Sequence, residues 1–125
     1  MQRGTARSCA GAASAQAISQ PIDHKHLARY TLGDRALERE VLQLFCSQTL
    51  LCLEGLRNAR SLAQWSEAAH SLKGSAKAVG AARVAEAAAR AETLTALEPG
   101  KARESRLMEI EAAIAEAKAY IQSLP

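Results

Sequence analysis

One histidine of this chain stands where an imidazole could act as a nucleophile. His70 lies in the run Ala69-His70-Ser71-Leu72-Lys73-Gly74-Ser75. Near neutral pH an unprotonated ring nitrogen offers a lone pair that can take up an electrophilic group and later release it. Around it, Leu62, Trp65, Ala69, Leu72, Ala76 and Val79 recur at alternating spacings of three and four, the stripe that an amphipathic helix buries. His70 falls off that stripe. Its neighbours at helical spacing are Ser66, Glu67, Lys73, Gly74 and Lys77, so the ring shares a polar surface with two cations and one residue that has no side chain.

The elements that must hold this surface can be followed along the chain. Residues 1–20 are Ala, Ser, Gly and Gln with little to bury, which predicts a disordered or weakly ordered tail ahead of a domain over residues 21–125. After Pro21, a short helix is expected over Ile22 to Tyr30, with Ile22, His26, Leu27 and Tyr30 able to face inward. Gly33 offers a stop and Asp34 an N-cap for a second helix that turns Leu37, Val41, Leu44, Phe45, Leu51 and Leu56 to the core, widened by Leu42, Leu50 and Leu53. Ser61 and Gln64 fit a capping box at the start of the helix bearing His70, and Gly80 should end it. An alanine-rich helix from about Ala81 to Leu97 precedes the Pro99-Gly100 break. The last helix carries Leu107, Ile110, Ile114, Ala117 and Ile121 along one side. The predicted fold class is all-α: an antiparallel up-and-down four-helix bundle with a short additional N-terminal helix.

Composition narrows the choice of partner. A chain of 125 residues with 48% hydrophobic and 3% aromatic residues supports one core built from Leu, Val, Ile and Ala. Net charge is +3, of which Arg3 and Arg7 in the leading segment supply two, and no Lys/Arg stripe interleaved with aromatics suggests a nucleic-acid surface. Every apolar run is broken by Arg, Glu, Lys or Gln, so no membrane span is expected. Cys9, Cys46 and Cys52 lack the spacing of a zinc site, and reduced thiols in a cytoplasm are the simplest account, with Cys46 and Cys52 packing as small hydrophobes. His24 and His26 point to different sides of a helix, so no metal site is expected there.

The segment His70-Ser71-Leu72-Lys73-Gly74-Ser75-Ala76, continuing to Val79-Gly80-Ala81, resembles the signature of histidine-containing phosphotransfer (HPt) domains. Thr31-Leu32-Gly33-Asp34 with Leu37, Glu40, Val41, Leu44 and Phe45 is similar to the start of the long second helix in that family, and the resemblance covers roughly Ile22 to Leu124. It implies a phosphocarrier of a two-component phosphorelay: His70 accepts a phosphoryl group from a receiver-domain aspartate and passes it to another receiver, in response regulators or hybrid histidine kinases. It implies that magnesium belongs to the receiver, so this domain needs no cofactor. Glu92 matches the position of the residue that orients the imidazole, for which many members have Gln.

The residue types fit those roles on physical grounds. Lys73, and more remotely Lys77, can offset the charge of a phosphoryl group. Gly74 in an exposed helix is less favourable than alanine by roughly 1 kcal/mol, and bare backbone beside the nucleophile would let a partner's loops approach. A tight helix crossing is the other use of such a glycine. The predicted partner-binding set is Ser66, Glu67, Lys73, Gly74, Lys77 and Arg83. Without a nucleotide-binding loop, no ATP-dependent kinase activity is expected. A non-catalytic adaptor or pseudo-HPt module is the alternative, and it gives no reason for His70, Lys73 and Gly74 to share one face. A kinase-type helical dimerisation unit would use the Leu107 to Ile121 seam, but enough helices are present to close the core as a monomer.

Overall fold

Asp23, Asp34 and Ser61 each set a side-chain oxygen over free amides at the start of a helix, and these caps divide the chain. The computed structural model describes residues 20–97 and 100–125. The expected tail therefore lies outside the described residues, save for Gln20. The helices are α1 (His24–Thr31), α2 (Arg35–Arg57), α3 (Leu62–Val79), α4 (Ala82–Glu92) and α5 (Lys101–Ser123), and the described residues include no strand. Each long helix packs on the next, and α5 returns to α2. Arg83 of α4 meets Glu116 of α5 while Arg90 meets Glu109, so seven residues forward on one helix is seven back on the other. That register is antiparallel, and the four long helices form the expected bundle with α1 laid across one end.

The helix bearing His70 is closed at both ends by local chemistry. Ser61 accepts from Gln64 N at 3.1 Å, and the Gln64 side chain reaches back to Arg60 N at 2.7 Å. At the other end Gly80 adopts φ 76°, and Ala81 N donates to Ala76 O at 2.8 Å, so the left-handed glycine satisfies carbonyls that the helix leaves open. Asp23 N donates to Gly80 O at 2.9 Å, which seats the start of α1 on this turn. A Cβ at Gly80 would lie 2.8 Å from Asp23 Cβ and 2.9 Å from its carbonyl oxygen. Glycine is required there both by the backbone angle and by the space.

Burial follows the expected stripe on α3, where Trp65, Ala69, Leu72, Ala76 and Val79 are all buried. On α5 Ile110, Ile114 and Ala117 are buried, and Leu107 and Ile121 pack against the core in part. Three expectations need correction. The inner face of α2 is Leu42, Phe45, Thr49, Cys52, Leu53 and Leu56, while Leu37, Leu44, Leu50 and Leu51 are exposed. Leucine occurs on nearly every side of this helix, so its own periodicity cannot select a face; contact with α3 and α5 does. Tyr30 of α1 likewise turns outward, at 65% exposure. The fourth helix ends at Glu92 rather than near Leu97. Thr93 N and Oγ1 both turn back to Arg90 O, at 3.2 and 2.6 Å, and Leu94 N bonds Ala91 O, tightening the last turn and stopping the helix. Glu92 thus stands at the very end of α4.

Candidate functional site

The buried stripe of α3 fixes where the rest of that helix points. With Ala69 and Leu72 fully buried, His70 emerges between α3 and the end of α4, its side chain 73% exposed. The opposing wall is set by Trp65, whose indole N–H donates to Ala91 O at 2.8 Å in the interior. Arg103 of α5 lies over the same indole, 5.6 Å from the ring centroid, and its guanidinium donates to the Ala59 carbonyl at 3.2 Å. The peptide immediately before Glu92 is therefore tied to the core of α3.

Glu92 sits between two partners. Its Oε2 lies 3.2 Å from His70 Nδ1, and its Oε1 lies 2.6 Å from Lys73 Nζ. Lys73 holds the carboxyl below its ordinary range, with the His70 hydrogen bond acting the same way and partial burial opposing both. An ionised carboxylate only accepts, so Nδ1 carries the proton in this contact. In the neutral ring Nε2 is then the nitrogen with the free lone pair.

Other expected site residues divide by position. Gly74 is exposed, and a Cβ built on it would meet nothing within 4 Å. The helix-crossing use of this glycine is thereby removed. Gly55 of α2 occupies such a crossing instead, since a Cβ there would lie 3.3 Å from Ala68 Cβ. Glu67 and Lys77 are exposed and Ser66 half-buried on the same helix as His70. Arg83 stands apart: it is about two and a half turns from Glu92 along α4 and pairs with Glu116 of α5. The structure groups His70, Lys73, Gly74 and Glu92, and leaves Arg83 on another flank.

The exposed surface beside His70 includes apolar residues of α2 that the sequence pattern places inward. Gly55 against Ala68 sets the antiparallel register of α2 on α3, which brings Leu51 level with Leu72 and Leu44 level with Val79. Leu44 is 65% and Leu51 62% exposed. On α3, Ser71 and Ala78 adjoin these positions in sequence and are exposed, as are Gly74 and His70. No residue-type pattern marked this, because the same leucines read equally well as core.

Of the remaining candidates, His24 Nε2 lies 2.5 Å from the Tyr120 hydroxyl, while the His26 ring stands edge-on to Tyr30, so the two histidines go to separate partners. Burial raises the thiol pKa of Cys46 and of Cys52, with Lys118 pulling Cys46 slightly the other way. No helix among the described residues is long and apolar enough to cross a membrane.

Comparison with known proteins gives a family match. Residues 40–124 match the family model described as Hpt domain, a span that includes α3 and α4 whole. No curated protein and no solved structure matches the chain.

Proposed function

The chain belongs to the Hpt domain family, whose members take part in phosphotransfer within phosphorelays and generally interact with receiver domains, and from that premise we propose that His70 is its phosphoryl carrier. The observation that carries this is the pairing of a largely exposed imidazole with a carboxylate on Nδ1, which leaves Nε2 free to attack. A receiver's aspartyl phosphate supplies the group. The Nε2 lone pair forms the N–P bond as the acyl O–P bond breaks, and the departing carboxylate keeps the electron pair. Transfer to a second receiver runs the same exchange in reverse.

Gly74 contributes by absence. With no side chain one turn beyond the ring, a receiver loop can approach closely enough for the three reacting atoms to line up. Leu44 and Leu51 give the receiver an apolar seat beside the nucleophile, and Lys77 and Glu67 edge it. Such a surface suits a transient complex in which charge guides encounter more than it adds affinity.

The test uses a panel of purified receiver domains phosphorylated with acetyl phosphate. At least one should label the chain with an acid-labile, base-stable phosphoryl group, and His70→Gln should abolish labelling without loss of helicity. Labelling that survives His70→Gln sinks the assignment. If no receiver labels the wild-type chain, while one still binds it, the adaptor reading replaces this one. Leu44→Glu and Leu51→Glu should raise the receiver concentration needed for half-maximal transfer about tenfold or more; an unchanged requirement would remove the leucines from the seat.

A further inference from the structure

A lysine one turn from a phosphoryl acceptor invites the view that it waits for the phosphoryl group, but Lys73 is already engaged. Its Nζ contacts Glu92 Oε1 at 2.6 Å, and the side chain is only 26% exposed, against 73% for His70. It leans away from solvent, toward the carboxylate that holds Nδ1. We infer that Lys73 and Glu92 act on His70 as one electrically neutral positioning unit: Glu92 supplies the acceptor that fixes Nδ1–H, and Lys73 cancels the charge that this carboxylate would otherwise impose on the ring. The inference rests on the reading of His70 as the phosphoryl carrier.

The reason for such a unit lies in two requirements that conflict. Orienting an imidazole through Nδ1 calls for a strong acceptor, and a carboxylate is one. Yet an unscreened carboxylate within 4–6 Å favours the imidazolium, and an imidazolium has no lone pair with which to attack phosphorus. An adjacent cation removes the charge and leaves the acceptor atom in place. The depressed carboxyl of Glu92, owed first to Lys73, agrees with a carboxylate whose charge is already answered. Glu67 and Lys77 of α3 are further charged groups at helical spacing on either side of the ring, and they oppose each other in sign. Asp23, the N-cap of α1, and His26 line a hollow together with Lys77 and with Glu86 of α4. On α2 the exposed Leu44 and Leu51 have Glu40 and Glu54 at helical spacing from them, both exposed to solvent. In this arrangement Lys77, exposed and further along α3, is a cation that can meet a phosphoryl group.

The unit makes a signed prediction. Lys73→Met exposes the ring to an unbalanced carboxylate, so the titration midpoint of His70 should rise by about one pH unit. Glu92→Gln keeps an acceptor but leaves the lysine unbalanced, so the midpoint should fall. The double variant, with a neutral amide and no lysine, should return close to wild type. Ring resonances of His70, identified by their loss in His70→Gln, give the midpoints by NMR, and helicity by circular dichroism confirms that each variant is folded. In parallel, phosphoramidate, a donor that needs no receiver, should load Lys73→Met about tenfold more slowly than wild type below both midpoints and equally fast well above them.

A lysine that serves the phosphoryl group directly would behave otherwise. Lys73→Met would then depress loading to the same degree at every pH, and adding Glu92→Gln would not restore it; either result overturns the inference. Midpoints that fail to move in opposite directions also overturn it. The carrier reading fails separately, if the wild-type chain accepts phosphate from phosphoramidate but from no receiver.

Discussion

The two flanks of α4 are both lined with charge, and they use it for opposite ends. Toward α5, Arg83 reaches Glu116 and Arg90 reaches Glu109, with Arg57 of α2 joining Glu111 on the same helix, so each guanidinium spans one helix to the next. Toward α3, Glu92 gathers Lys73 and His70, and the imidazole remains largely in solvent. Ion pairs on the first flank have both members held by protein. The second flank ends in a group whose remaining nitrogen has no such claim on it. Charge that bridges helices at a surface adds little stability, typically under about 1 kcal/mol per pair, whereas a carboxylate beside one exposed imidazole fixes how the ring is oriented.

Breaking the support behind the second flank should have the largest effect. Trp65→Ala removes a fully buried side chain and the donor to Ala91 O, and should destabilise the fold by about 3–5 kcal/mol in denaturant unfolding. Trp65→Phe keeps most of the volume and removes the indole donor from the Ala91 carbonyl, which retains Leu94 N, at about 1 kcal/mol. Because that carbonyl precedes Glu92, the milder variant should also weaken the contact between Glu92 and His70, read as a shifted His70 ring resonance. If the resonance stays put, the two ends of the support are independent.

Glycines sharpen the same contrast. Gly80→Ala meets Asp23 at backbone distance on a left-handed residue and should destabilise by about 1–3 kcal/mol. Gly74→Ala meets nothing and should stabilise by about 0.5–1 kcal/mol. Gly74→Phe should leave the fold intact while slowing transfer from a phosphorylated receiver at least tenfold. Unfolding on Gly74→Phe would give that glycine a packing role after all. The smallest effect belongs to the α5 flank: Arg83→Ala should change stability by under 1 kcal/mol and leave the transfer rate where it was. A marked loss of transfer would support Arg83 as one of the partner-binding residues.

Much of this was legible in the chain itself because it depends on near neighbours. Asp34, Ser61 and Gly80 mark helix ends through contacts a few residues away, and the period of Leu62, Trp65, Ala69, Leu72, Ala76 and Val79 settles which side of α3 is inward. An imidazole off that stripe is exposed as a matter of geometry. The same arithmetic could not assign Leu44 and Leu51, since α2 offers leucine to every side. It carried α4 five residues too far, because Ala91 to Leu97 gives no sign in its apolar period that Thr93 will fold back on Arg90.

The order of side chains alone thus determined the helices, their caps and the outward histidine, all consequences of forces acting within a turn or two of helix. The tertiary structure decided which leucines of α2 face solvent, which flank Arg83 serves, that the Trp65 indole holds Ala91, and that Lys73 answers Glu92. Each of these joins residues on different helices or chooses between faces of one helix. Such choices follow from the register in which helices pack, and register is a property of the assembled bundle.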